Sequence, residues 1–179
     1  MTQENPLEDV GPPLSRQKIA ELEAQLGVAL PDDYRQFLLE SNGGRPKRGF
    51  FQFHYGPAPE WMAEKWRAKW EEHQERWIDD FFVIDDNLAR PDRSDPHTLA
   101  FWRAADWLML PPDVLPVAAV TRDDVLLIYI RGPRRGEVHL LCSDYLDAKE
   151  EATEQDVQGA IRFVARTFGE FLDGLYEAD

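Results

Sequence analysis

The chain has 179 residues, of which 43% are hydrophobic, so it can bury one core and a single domain is expected. Acidic residues number 34 against 20 basic residues, and the net charge of −14 argues against direct binding to nucleic acid phosphates. The same charge would steer a basic partner towards the protein. No apolar run approaches the ~18 residues of a membrane-spanning helix, so we expect no membrane segment.

Residues 1–13 read MTQENPLEDVGPP and are acidic and proline-containing. We expect them to form a flexible lead-in without regular structure, ahead of a single domain over 14–179. They lack the apolar stretch of a secretory signal. Cys142 is the only cysteine and has apolar neighbours, which predicts a buried thiol with no disulfide and no Cys-based zinc site. These features favour a cytoplasmic location.

Two short helices are predicted near the start of the chain. Ser15 suits the N-cap of the first helix, whose apolar residues recur at helical spacing until Gly27 ends it. The second helix begins around Pro31, which fits a first helical turn. We expect it to end at 42–44, an Asn-Gly-Gly run, because glycine accepts the left-handed conformation of a C-cap. The connector 28–30 is short enough to require an αα-hairpin.

The middle of the chain is rich in aromatic residues. A strand is predicted over 49–55, another over Trp77–Ile84, and a short helix over Thr98–Leu108. Between the first two, Glu60–Trp77 has the spacing of a helix with one aromatic face, which either packs on the sheet or binds a partner. That face comprises Met62, Trp66, Trp70, His73 and Trp77.

Three apolar, β-branched runs follow, over 115–121, 125–131 and 137–143, and turn residues separate them. They predict an antiparallel meander. Thr153–Tyr176 predicts one C-terminal helix with an apolar stripe and a capping-box start. The predicted fold class is therefore α+β, with a mostly antiparallel sheet of about five or six strands packed by the N-terminal helical hairpin and the C-terminal helix.

The helical hairpin resembles the N-terminal signature of the SUKH superfamily, which includes fungal cell-wall assembly regulators and many bacterial immunity proteins. Residues of this chain that match the signature are Ile19, Leu26, Gly27, Leu30, Pro31, Asp33, Tyr34, Phe37, Leu38, Asn42, Gly43 and Gly44. The run 115–117 and the pattern of 167–175 extend the resemblance. The chain departs from the family at Asp123, where many members have glycine, and at 141–142, where an aromatic residue is frequent.

Sites for chemistry are weakly indicated. None of the four histidines has a metal-ligand spacing, and His139 is expected to be a sheet-face or core residue. Adjacent carboxylates on a strand point to opposite faces, so the acidic pairs of this chain do not predict a catalytic dyad and are expected on the solvated surface. No cofactor, metal or enzymatic activity is therefore expected.

The resemblance implies a non-enzymatic immunity protein that binds and neutralises a cognate toxin in competition between bacteria. A basic nuclease is the favoured toxin, because an acidic protein can mimic phosphate charge in its cleft. A regulatory scaffold like the fungal cell-wall regulators is the alternative, and a hydrolase is a third reading. Candidate partner-binding residues are acids and aromatics expected at the surface: Asp85, Asp86, Trp102, Asp106, Trp107, Asp123, Asp124, Asp144 and Tyr145.

Overall fold

A computed structural model describes residues 6–56, 74–84, 98–99, 109–146 and 152–177, apart from the side chains of Asp144 and Tyr145. It contains a two-stranded and a six-stranded sheet, both with antiparallel neighbours. The small sheet pairs β1 (Leu7–Glu8) with β2 (Arg45–Pro46). The large sheet runs in chain order through β3 (Phe50–Phe53), β4 (Gln74–Phe81), β5 (Val114–Val120), β6 (Asp124–Tyr129), β7 (Val138–Leu141) and β8 (Ile161–Ala165).

The α+β class and the antiparallel meander are confirmed. Strands β5, β6 and β7 follow one another along the chain and in the sheet, as their apolar runs predicted. All residues of β6 and β7 are buried, which explains why these strands are apolar at nearly every position.

The predicted helical hairpin is present as α1 (Arg16–Leu26) and α2 (Asp32–Glu40). Ser15 Oγ accepts a hydrogen bond from the Lys18 amide at 3.1 Å, and Gly27 ends α1 with a φ of +66°. Both caps are therefore as the sequence predicted.

The prediction that a left-handed glycine of 42–44 caps α2 is wrong. The C-cap residue is Ser41 in an extended conformation, so α2 ends without a left-handed glycine. The glycines serve the following loop, where a Cβ on Gly43 would lie 2.7 Å from the Phe81 carbonyl oxygen and one on Gly44 would lie 2.7 Å from that of Glu8. Their lack of a side chain lets the loop run close to β4 and β1.

The predicted single C-terminal helix is also wrong. After the short helix α3 (Ser143–Leu146), the region Thr153–Tyr176 holds α4 (Glu154–Ala160), strand β8 and α5 (Phe168–Asp173). The capping box between Thr153 and Asp156 is present at the start of α4. The chain then extends over Ile161–Ala165 because this segment, with isoleucine, phenylalanine and valine, satisfies the open edge of β7.

Aromatic side chains join the helices to the sheet. The Phe37 ring of α2 lies 5.2 Å from the rings of both Phe81 in β4 and Phe168 in α5. Tyr34 meets Phe168 edge-on at 5.0 Å, and its burial raises the pKa of its hydroxyl far above the usual value. These rings centre the core between α2, α5 and β4.

The outcomes for the remaining predicted elements differ. The lead-in has regular structure at β1, and Gly11 also bridges to Asn42, so the expectation of an unstructured segment is wrong there. Trp77, predicted at the end of a helix, lies within β4, and most of that predicted helix lies outside the described residues. The predicted helix Thr98–Leu108 also lies outside the described residues, apart from its first two residues.

No described helix is long and apolar enough to cross a membrane.

Candidate functional site

Most of the predicted partner-binding residues lie outside the described residues or have side chains that are not described. Asp144 and Tyr145 belong to α3, but their side chains are not described. Only Asp123 and Asp124 can be placed with their side chains. The other five lie outside the described residues: Asp85, Asp86, Trp102, Asp106 and Trp107.

The expectation that Asp124 lies on the surface is wrong. Asp124 is 1% exposed at the start of β6, and its Oδ2 accepts a hydrogen bond from Arg76 Nε at 2.6 Å. Its Oδ1 accepts from the Ser143 amide at 2.7 Å and from Ser143 Oγ at 3.0 Å. Burial raises the pKa of the Asp124 carboxyl, although Arg76 and Ser143 oppose that rise. Asp124 therefore organises the interior and is inaccessible to a partner.

Arg76 completes this buried network. Its Nη2 donates to the Tyr55 hydroxyl at 2.7 Å and its Nη1 donates to the Glu75 carbonyl at 3.2 Å. Its guanidinium carbon lies 5.1 Å from the centre of the Phe53 ring. A buried arginine needs this many partners, because an uncompensated charge in the interior is strongly destabilising.

Asp123 is exposed, as predicted, in the turn between β5 and β6. It has a φ of +59°, and Arg122 before it has a φ of +68°. Aspartate tolerates this left-handed conformation better than most residues, so it suits this tight turn. The turn thus displays the Asp123 carboxylate at the end of the hairpin.

Asp123 belongs to a local group of acids that also includes Asp79 and Asp80 of β4. Burial, followed by the negative charges of Asp80 and Asp123, raises the pKa of Asp79, while Arg45 opposes the rise. Arg45 Nη2 lies 3.6 Å from Asp80 Oδ1, and Arg45 Nε donates to the Asp79 carbonyl at 3.3 Å. The cation therefore neutralises Asp80 more directly than the other two acids.

A shallow, mostly apolar groove with a volume of about 460 Å³ lies at Trp77, two residues before Asp79 in β4. We call it the Trp77 groove. The Phe50 and Trp77 rings meet edge-on at 4.6 Å, and both residues are half-buried. Its lining residues are Phe50, Glu75, Arg76, Trp77 and Thr121.

Two contacts fix the walls of the groove. A Cβ on Gly49 would lie 3.1 Å from the Trp77 ring, so the backbone there packs directly against the indole. Tyr176 stacks near Phe50 at 6.2 Å and donates its hydroxyl hydrogen to Glu75 Oε1 at 2.5 Å. The groove is thus a rigid aromatic surface with a carboxylate on its wall and further acids beside it.

The sequence alone did not predict this groove, because the spacing of Trp77 fits the aromatic stripe of a helix as well as the start of the strand Trp77–Ile84. Alternation in β3 and β4 carried the signal: Phe51 and Phe53 are buried, whereas Phe50 and Trp77 are half-buried and directly opposite each other in the sheet. Opposed residues of an antiparallel pair share one face. Pairing the two strands in this register would have predicted the groove.

The predicted structural roles of Cys142 and His139 are confirmed. Cys142 is fully buried. His139 is 5% exposed, and its Nε2 lies 2.9 Å from Glu137 Oε2, while Nδ1 has no hydrogen-bond partner among the described residues. Burial lowers the His139 pKa, although Glu137 opposes this. Within the described part of the chain, no three His, Cys, Asp or Glu residues are arranged to hold a metal ion.

The sequence profile of the SMI1 / KNR4 family (SUKH-1) matches residues 13–174, which is nearly the whole chain. The chain belongs to this family. No relative among curated proteins matches it. The structure gives the SUKH-1 signature residues physical roles. Asp33 Oδ2 accepts from the Gly169 amide at 2.9 Å, which joins the starts of α2 and α5.

Asn42 is a second of these signature residues with a clear structural role. Its side chain is 2% exposed, donates to the Ile84 carbonyl and accepts from the Ile84 amide, both at 2.9 Å. The side-chain amide thus pairs with the backbone beyond β4 as a neighbouring strand would. In this SUKH-1 chain the signature therefore encodes fold contacts, and the Trp77 groove lies outside it.

Proposed function

We propose that this SUKH-1 chain is a non-enzymatic immunity protein that binds and neutralises a cognate bacterial toxin in the cytoplasm. Family membership supports a domain of the immunity or SMI1-like kind. The net charge of −14 supports a basic partner, because opposite charges speed encounter and favour correct orientation. A nuclease is the favoured toxin, since its substrate-binding cleft is basic.

The observation that carries this proposal is the placement of exposed acids near the half-buried aromatics Phe50 and Trp77. Asp123 lies in a turn next to Thr121, and Thr121 donates its amide hydrogen to the Trp77 carbonyl at 2.9 Å. The acid group and the Trp77 groove therefore occupy one end of the β4–β5–β6 region. Aromatic anchors surrounded by charged groups are typical of tight protein interfaces.

Neutralisation then needs no bond-making chemistry. Binding would cover the toxin's substrate cleft with carboxylates that take the place of phosphates, and charge-assisted hydrogen bonds to arginine and lysine would hold the complex. Trp102 and Asp106, which lie outside the described residues, stay proposed partner-binding residues.

Co-expression tests the proposal. The protein encoded by the adjacent reading frame is expressed in a heterologous bacterium, alone and together with this chain, because immunity genes commonly neighbour their toxin genes. We expect growth arrest with the neighbour alone and normal growth with both. Arrest that this chain fails to relieve would contradict the proposal.

A regulatory scaffold is the second candidate, and membership of the SMI1 / KNR4 family is the observation that favours it. A scaffold would bind several partners without relieving toxicity. A harmless neighbouring protein, together with multiple stable partners at physiological salt, would favour the scaffold over the immunity protein.

A further inference from the structure

We propose that the Trp77 groove binds an arginine side chain on a loop of the basic partner, and this inference rests on the proposed function. The guanidinium would lie against the Trp77 and Phe50 rings and face the carboxylates of Asp79, Asp123 and Glu75. The occupant is thus a protein segment that presents arginine.

The shape of the groove suits a flat cation. Its floor is formed by two half-buried rings at 4.6 Å, and its volume of about 460 Å³ exceeds the needs of one side chain and leaves room for backbone. The close approach of Gly49 to the Trp77 ring and the contact between Tyr176 and Phe50 hold this floor in place. A preorganised aromatic surface binds with little loss of side-chain entropy.

The charged side chains around the groove determine whether it favours a cation or an anion. Among the described residues, two nearby cations are engaged by acids, because Arg76 is buried against Asp124 and Arg45 pairs with Asp80. Arg48 forms a further pair with Glu177 at 3.8 Å. Arg122 is exposed in the turn and has an interaction of its own.

The carboxylates near the groove outnumber the exposed positive charge of Arg122. Asp79 follows Trp77 by two residues in β4, Asp123 follows Thr121 by two residues, and the Glu75 carboxylate forms part of the wall. The mutual repulsion of Asp79 and Asp123, which contributes to the raised Asp79 pKa, would be relieved by a bound cation. An anionic or neutral occupant would not relieve this repulsion between the two carboxylates.

Arginine fits better than lysine for a geometric reason. A guanidinium is flat, stacks on aromatic rings and presents a fork of donors that can engage carboxylates on more than one side. An ammonium is a compact point charge with stronger hydration, so it gains less from ring contact.

NMR titration with peptides tests the inference without the toxin. The probe is an acetylated, amidated Gly-Arg-Gly-Arg-Gly peptide at low ionic strength, and matched peptides carry citrulline or lysine in place of arginine. We expect saturable shifts of the Trp77 indole N–H and of the Phe50 and Thr121 amides with the arginine peptide. The citrulline peptide, which is isosteric and uncharged, should produce none.

Two variants locate the binding. Asp79→Asn with Asp123→Asn preserves shape and should weaken arginine-peptide binding by about tenfold, because two charge-assisted contacts are lost. Trp77→Phe keeps an aromatic floor and should weaken it less. A matched exposed change, Gln17→Ala on α1, should leave it unchanged.

Three outcomes would overturn the inference: unchanged groove signals, equal shifts with the citrulline peptide, or groove signals that depend on protein concentration alone. The last would assign the groove to contact between copies of this chain. If co-expression rescues growth but one of these three NMR outcomes is found, the chain is still an immunity protein. Its interface with the toxin then lies outside the Trp77 groove. If the arginine peptide binds but co-expression does not rescue growth, the groove is an arginine-binding site and the proposed immunity function is wrong.

Discussion

The Arg76 guanidinium and the Asp124 carboxylate form an ion pair closed to solvent, with 2.6 Å between Nε and Oδ2 and side chains 1% and 0% exposed. The residues are 48 positions apart in sequence, one on β4 and one at the start of β6. The pair thus ties two strands separated by β5 and fixes the hairpin end that displays Asp123.

Asp124→Asn tests this pair. The substitution preserves shape and leaves the Arg76 charge without its carboxylate, so we expect the free energy of unfolding to fall by about 3–5 kcal/mol in urea denaturation. Asp123→Asn is the matched control in the adjacent exposed position and should change it by less than about 0.5 kcal/mol. Equal effects of the two variants would show that the ion pair is not structural.

Gly43→Ala tests the close approach of the signature loop to β4. Gly43 has a φ of +74°, and its added Cβ would meet the Phe81 carbonyl oxygen and Val83 amide nitrogen within 2.8 Å. Gly132 is a matched control, with a φ of +75° and, in the described part of the chain, no atom within 4 Å of the added Cβ. Gly132→Ala should cost about 1–2 kcal/mol for conformation alone, and Gly43→Ala about 1–3 kcal/mol more. Similar losses would mean that backbone conformation, and not close packing, requires glycine at Gly43.

Asn42→Ala removes the side-chain amide that pairs with the backbone of Ile84. Because both Ile84 groups lose a partner in a buried setting, we expect thermal or urea unfolding to report a loss of about 2–4 kcal/mol. Gln17→Ala removes an exposed side chain that contacts Glu21 at 3.1 Å and should change stability by less than about 0.5 kcal/mol. A small effect of Asn42→Ala would assign the Asn-Gly-Gly signature to something other than this contact.

His139 makes stability depend on pH. Burial holds its pKa below the usual 6.5, so as pH falls below about 6.5 the unfolded chain takes up a proton that the folded chain resists. This group therefore lowers the free energy of unfolding by up to about 1.4 kcal/mol per pH unit in that range. Urea denaturation between pH 8 and 5.5 should show a flatter profile for His139→Gln than for the unsubstituted protein.

Above about pH 7.5 the two profiles should run parallel, because His139 is neutral in both states there. Parallel profiles over the whole range would contradict the inferred pKa direction.

Local signals allowed the helical hairpin and the meander to be predicted. Ser15 and Gly27 bound α1 through contacts within a few residues, so capping rules sufficed. The three apolar runs of the meander were equally clear. By contrast, Ile161–Ala165 was read as helix because its apolar spacing suits both structures, and only the free edge of β7 decides for strand.

The site was less predictable because it depends on distant pairs. Asp123 and Asp124 are adjacent and of the same residue type. Asp124 is buried because it pairs with Arg76, whereas Asp123 is exposed in the turn. Likewise, Trp77 faces the groove only because β4 pairs with β3 opposite Phe50. Neither relationship has a short-range signature.

The most direct test of the proposed function is the association rate of this chain with the neighbouring gene's toxin, measured by stopped flow across a series of salt concentrations. Asp79→Lys with Asp123→Lys is compared with Glu21→Lys with Glu154→Lys, which changes net charge equally at exposed positions on α1 and α4. Electrostatic steering predicts that the first pair slows association at least about tenfold at low salt and flattens its salt dependence, while the second pair has a smaller effect. An association rate and salt dependence unchanged by the first pair would contradict recognition through the acids beside the Trp77 groove.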